Sequence, residues 1–249
     1  MANKKKNKSV IAICIQEPVE DGTHMDLGAI KGDDLRFLHQ AFITDTVLNA
    51  LKVPAADVRL YYIDEAERKR LVKIVSEYIT EKAGRGKAAA IKERFSLHPM
   101  PRDHWGVRIQ RAFRECFDAG YQNVIAVGSR TPTYTAKMIQ ATLRMLEKSD
   151  AVFGPTPEGR YYTIGMSGAC HINLAEFEWK SPKIYSEVAN AFTDKGLSWS
   201  ELEIWYAIES SDELELMARD INQYRFEGDE TTARETELVM ERFISKLGS

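Results

Sequence analysis

A chain of 249 residues, 44% of them hydrophobic, is long enough to bury a sizeable core. Its 34 basic and 37 acidic residues give a net charge of −3, which argues against a general nucleic-acid binder. Three cysteines at unrelated spacings (Cys14, Cys116, Cys170) form neither a disulfide framework nor a zinc pattern, and point to a reduced, cytoplasmic setting.

The start, MANKKKNK, is basic, and the apolar run after it (Val10 to Ile15) is too short for a signal segment or a membrane span. Residues 1–9 therefore read as a solvated tail. VIAICI (10–15) and VRLYYI (58–63) have the continuous apolar character of buried strands. Between them, residues 33–51 carry Leu35, Leu38, Phe42, Val47 and Leu51 at helical spacing, and 65–83 form a second amphipathic helix ended near Gly84. The polar stretch 84–105, with two prolines, reads as an irregular excursion. A helix at about 106–118, a strand at 123–127, a helix at about 134–148 and strands at 150–155 and 160–166 follow, and a late strand is expected at IWYAI before an acidic turn. Helices alternating with apolar strands imply a mostly parallel sheet covered on both faces, with ligands bound beyond the carboxyl ends of its strands. Residues 10–225 read as one α/β domain of about seven strands, and 226–249 as a helical extension. In that extension Thr232 and Glu235 fit a capping box, and Met240, Phe243, Ile244 and Leu247 form an apolar stripe. The stripe must bury on the parent domain, in a homodimer or against another partner.

Generic catalytic motifs are missing. No G-x-G-x-x-G follows the first strand, GRGK (84–87) lacks P-loop spacing, and no G-x-S-x-G elbow is present. Cys170 and His171 are adjacent, so on an extended chain they point to opposite faces. His24, His39, His98 and His104 are scattered without metal-ligand spacing.

The order of four segments is more specific: VGSRTP (127–132), VFGPTPEGRYYTIGM (152–166), EFEWKS (176–181) and IWYAIESSDELELM (204–217). Together with QEPVEDGTHMDLG (16–28) and HWGVRIQRAF (104–113), they resemble the nucleotide-diphospho-sugar transferase-like proteins of the DUF2064 type. These are small bacterial and archaeal relatives of glycosyltransferases with a GT-A fold. The resemblance implies a three-layer, Rossmann-like α/β sheet that binds a nucleotide or nucleotide-sugar with the help of Mg²⁺ or Mn²⁺. It covers about residues 10–222.

This chain departs from the family pattern at each phosphate- or metal-handling motif. The loop after the first strand, basic in the family, carries Glu17, Glu20, Asp21 and Asp26, with His24 its only basic candidate. Carboxylates beside a polyphosphate would repel it by about 1 kcal/mol per close pair even in a water-like dielectric. The Gly-Ser-Asp motif reads Gly128, Ser129, Arg130, so a guanidinium stands where the family places a metal-ligating carboxylate. Glu-Asp-Gly-Gly-Tyr reads Pro157, Glu158, Gly159, Arg160, Tyr161, and Asp-x-Asp-Thr reads Ala207, Ile208, Glu209, Ser210. Ser210 or Ser211 is also well placed to cap the helix that follows. If the site works, the resemblance assigns phosphate contacts to Arg130, Arg160, Ser129 and Arg108. It assigns acceptor activation to Glu158 and substrate contacts to Tyr161, Trp179 and Glu209. Two readings stay open: a metal-independent transferase in which Arg130 replaces the cation, and a non-catalytic relative acting as a binding or scaffold protein.

Overall fold

The computed structural model describes residues 7–16, 19–20, 23–81, 84–168, 170 and 172–247, without side chains for 19–20, 23–24, 79–81, 84–87 and 244–247. The first strand, β1 (Ser9–Cys14), leads into a hairpin of β2 (Val19–Glu20) and β3 (Thr23–His24) and then into α1 (Gly32–Leu51). β4 (Ala56–Tyr62), α2 (Glu65–Glu81), α3 (Gly84–Arg94) and β5 (Phe95–Pro99) follow. Then come α4 (Trp105–Asp118), β6 (Asn123–Val127), α5 (Ala136–Leu146), β7 (Ala151–Pro155) and β8 (Tyr161–Ser167). A 3-10 turn at Leu174–Glu176, α6 (Ile184–Asp194), β9 (Trp199–Glu201), α7 (Ser211–Phe226) and α8 (Arg234–Leu247) complete the chain.

Seven strands form one sheet in the order β5-β4-β1-β6-β8-β7-β9. β8 alone runs antiparallel to both its neighbours; the other neighbouring pairs are parallel. The interior strand β1 sets the layers through its period-two alternation. Val10, Ala12 and Cys14 pack with Ile109, Phe113 and Cys116 of α4 and with Val188 and Phe192 of α6. Ile11 and Ile13 turn the other way, against Ile43 and Val47 of α1, Leu71 of α2 and Ile139 of α5. Both faces are covered, so the strand reads as one apolar run rather than an alternation. β1 also marks where the strand order reverses, with β4 on one side and β6 on the other.

Several expectations are corrected. Residues 84–105 are not one irregular excursion: the Ala-rich, Lys- and Arg-containing stretch forms α3, and Phe95–Pro99 forms the edge strand β5, paired in parallel with β4. The GRGK sequence opens α3, with its side chains outside the described residues. IWYAI forms no strand. Its backbone makes separate bonds, Trp205 N–H to Pro155 O at 3.0 Å and Ile208 N–H to Arg130 O at 2.8 Å. Its aromatic side chains stack on one another and bond Thr133. The last sheet strand is instead the short β9, three residues earlier.

The terminal helix packs on the parent domain: Val239, Met240 and Phe243 lie against the cluster that contains Leu38, Phe42 and Met217. Ile244 and Leu247 of the expected stripe fall outside the described side chains. Its start is not a Thr232–Glu235 capping box. The buried carboxylate of Asp45, reaching across from α1, accepts from the Glu235 N–H at 3.1 Å, the Thr236 N–H at 2.8 Å and the Thr236 hydroxyl at 2.6 Å. Among the described residues no helix is long and apolar enough to cross a membrane.

Candidate functional site

A cleft of about 840 Å³ opens at the carboxyl ends of β1, β6 and β7. Seven of the eight residues singled out from sequence line it: Arg108, Arg130, Glu158, Arg160, Tyr161, Trp179 and Glu209. Ser129 does not. Its walls carry five carboxylates (Asp103, Glu158, Glu176, Glu178, Glu209) against five strong cations (Arg102, Arg108, Arg130, Arg160, Lys180). The described walls therefore carry balanced charge rather than a one-signed field.

Three charged groups of the cleft meet in a trio. Arg130 leaves the end of β6 and is 1% exposed. Arg160 enters β8 from the preceding turn and is about one-third exposed, and Glu209 arrives on the segment before α7. The Glu209 carboxylate spans both guanidinium groups, with Oε2 2.8 Å from Arg160 Nη1 and Oε1 3.6 Å from Arg130 Nη1. Residues 130, 160 and 209 are far apart in the chain, and the fold brings them to one point.

The Glu209 backbone is held by neighbours. Its carbonyl accepts the Asp26 N–H at 2.8 Å, and its N–H donates to Glu213 Oε2 at 3.3 Å. Ser210 and Glu213 form the capping box of α7, as the sequence suggested for Ser210. Asp26 belongs to the loop after β1; the side chains of Glu17, Glu20, Asp21 and His24 lie outside the described residues.

Ser129 is fully buried and committed to the protein. Its hydroxyl accepts the Gln16 N–H at 3.0 Å and sits 3.1 Å from His39 Nε2. Burial, together with Arg130 and Arg70, pushes His39 down to about 3, so it is a neutral imidazole at any physiological pH. Arg108 is buried as well: its guanidinium donates to the Ile15 carbonyl just past β1 and lies over the Trp105 ring at 5.6 Å. It pins the end of β1 from the wall of the cleft.

Glu158 stands exposed on the Thr156–Arg160 turn, where the Thr156 and Arg160 backbones bond at 2.9 Å. Gly159 takes the left-handed conformation (φ 73°), and a Cβ there would meet Pro182 O at 2.8 Å. Arg160 keeps an ordinary backbone, so replacing the family's second glycine costs the turn nothing. On the opposite wall, Trp179 donates Nε1–H to Leu174 O at 2.8 Å and presses against Gly106, where a Cβ would lie 2.3 Å from Nε1. Tyr161 packs beside Trp179 and donates to Tyr185 O at 2.8 Å. Burial raises its phenol pKa, so it stays protonated. Both aromatics thus offer faces to the cleft while their polar atoms bond the protein.

The residues present do not fit a divalent cation. Such an ion needs several oxygen ligands, and at the end of β6 stands a buried guanidinium that contacts Glu209, a carboxylate bound also to a second arginine. Among the described residues no group of three His, Cys, Asp or Glu side chains could hold a metal. Cys170 is no nucleophile: its thiol bonds Asp150 O at 2.9 Å and burial raises its pKa, and His171 lies outside the described residues. Sequence reasoning passed over Gln16, which ties Ser129 to the end of β1, and over Arg102 and Trp105 in the cleft wall. Nothing in their local pattern distinguishes them.

Residues 50–181 match the sequence profile of a family described as an uncharacterized protein conserved in bacteria, DUF2064. A candidate nucleotide-diphospho-sugar transferase from Desulfovibrio desulfuricans G20 matches with a TM-score of 0.72 at 22% identity, over 95% of this chain and 98% of that one. A 4-diphosphocytidyl-2C-methyl-D-erythritol synthase from Anaerococcus prevotii matches with a TM-score of 0.51 at 14% identity, over 88% of this chain and 96% of that one. At such identities the likeness shows the fold, which is the expected nucleotide-diphospho-sugar transferase-like one. No curated protein sequence matches the chain.

Proposed function

The chain belongs to the DUF2064 family, and from that premise we propose that it binds a nucleotide or nucleotide-sugar in the cleft, with the diphosphate set against Arg160 and Arg130 and no divalent metal. The observation that carries this reading is the convergence of two guanidinium groups from separate elements on one carboxylate, at the carboxyl edge of the sheet. Guanidinium forks match phosphoryl oxygens and supply fixed positive charge where a cation would otherwise stand. The aromatic faces of Tyr161 and Trp179 suit the apolar side of a base or sugar ring.

In the transferase form of this reading, Glu158 orients or deprotonates an acceptor hydroxyl while the arginines stabilise charge on the departing diphosphate. Support for Glu158 is its exposed place on the turn that also carries Arg160. The three buried, unpaired cysteines support a cytoplasmic setting. Calorimetric titration with nucleoside diphosphates tests the reading. Arg160→Ala should weaken binding about tenfold or more, the loss of one charge-assisted contact; unchanged affinity would remove Arg160 from the site.

A second reading, a non-catalytic binding or scaffold protein, is favoured by one observation: Glu209 already supplies an internal counter-charge to the arginines. It expects no nucleotide affinity and a defined assembly, such as a homodimer through the outer face of α8. Sedimentation of the intact chain and of a chain ending at residue 230 distinguishes the two.

A further inference from the structure

Glu209 holds the position that the cleft's ligand would need. Its two carboxylate oxygens take the two arginines separately, one each, as two oxygens of a phosphoryl group would. A buried guanidinium such as Arg130 is costly to leave without a nearby anion. Among the described residues Glu209 supplies such an anion.

We propose that Glu209 is a built-in competitor for the anion site: it closes over Arg130 and Arg160 until a diphosphate displaces it. This rests on the reading that the cleft takes a diphosphate-bearing ligand. The backbone allows the movement. Asp26 and Glu213 fix the main chain of residue 209, while its side chain is one-third exposed, so the carboxylate can swing out without disturbing the helix cap. A phosphoryl group brings more charge and more acceptor oxygens than the carboxylate it replaces, which gives the exchange its direction. Glu209 thereby acts as a specificity-determining residue, since an anion no stronger than a carboxylate gains nothing by displacing it.

The test is the pyrophosphate-dependent shift in thermal unfolding of the full chain, without divalent metal, for the wild type, Glu209→Gln, Glu209→Asp and Glu178→Gln. If Glu209 closes the site nine-tenths of the time, both Glu209 variants bind pyrophosphate about tenfold more tightly than the wild type. The aspartate keeps the charge but is too short to span the two arginines, and Glu178 is a cleft carboxylate outside the trio. Glu178→Gln should leave the affinity unchanged. Tightening in Glu209→Gln and Glu178→Gln but not in Glu209→Asp would reduce the effect to cleft charge and overturn the proposal. Equal affinity in the wild type and both Glu209 variants would overturn it too, while leaving the cleft reading standing. No binding of pyrophosphate or nucleoside diphosphates by any of the chains would remove the cleft reading as well. Should Glu209→Gln fail to fold, visible in the same melts, the aspartate variant decides alone.

Discussion

Replacing Gly106 by alanine should destabilise the protein, although alanine is the better helix former. Gly106 is the second residue of α4, and helix propensity alone would favour Ala by roughly 0.5–1 kcal/mol. The new methyl, however, would sit 2.3 Å from Trp179 Nε1, 2.5 Å from its Cδ1 and 2.9 Å from Leu174 O. The indole must move, which strains a packed wall by about 1–3 kcal/mol. It also breaks the Nε1–H bond to Leu174 O, worth about 1 kcal/mol. The net expectation is a loss of about 2 kcal/mol, or roughly 4–8 °C in Tm for a chain of this size. Thermal unfolding of Gly106→Ala measures it directly. The double variant Gly106→Ala/Trp179→Phe should lose less than the sum of the two single losses, because the smaller ring removes the collision. A Gly106→Ala chain as stable as the wild type, or strict additivity in the double variant, would refute the close approach of Trp179 to α4.

Gly159→Ala should cost about 2 kcal/mol in urea unfolding, from the left-handed backbone and the approach of Pro182 O to 2.8 Å from the added methyl; no change would refute the turn geometry. Burial pushes Asp45 up to about 6 from 3.8, against the pull of its three donors. The folded chain therefore holds that proton more tightly than the unfolded chain, so the contribution is present below about pH 4 and is lost as pH rises through about 6. The stability of the wild type relative to Asp45→Asn should accordingly fall by up to about 3 kcal/mol between those limits, two pH units at about 1.4 kcal/mol each. His39, pushed down to about 3, contributes stability above pH 6.5 that is lost as pH falls toward 3. Its ring protons should show no titration by NMR between pH 8 and 5, and a midpoint near 6.5 would contradict its burial beside Arg130.

How far the fold could be read from the sequence follows from how each element is stabilised. β1, β4 and β6 are buried on both faces, and such strands announce themselves as apolar runs. β5 is an edge strand with half-exposed residues and a terminal proline, and β9 has only three residues, so neither leaves such a run. The opposite error occurs at Ile204–Ile208. Trp205 and Tyr206 are apolar enough for a strand, but they cover a helix cluster and bond Thr133 instead of joining a ladder. The cap of α8 is hidden from the sequence because its acceptor, Asp45, lies 190 residues away from the amide it caps, and no local pattern reports that. The site shows the same division. Arg130 and Arg160 stand out by their departure from the family's motifs and Glu209 by the carboxylate it keeps in the last one, but only tertiary structure unites them. Ser129, offered to phosphate by its place in the motif, is instead drawn inward by Gln16 and His39.

The most direct test of metal-independent diphosphate binding is thermal unfolding of the intact chain against nucleoside diphosphates and nucleotide-sugars, in EDTA and again in Mg²⁺ or Mn²⁺. A ligand at about a hundred times its Kd adds about 2.7 kcal/mol, or roughly 5–11 °C here. The expected result is a shift of that size in EDTA, no larger with metal, and cut to about half in Arg160→Ala, where tenfold weaker binding leaves about 1.4 kcal/mol. A shift that needs the metal, or none with any of these ligands, would contradict the account.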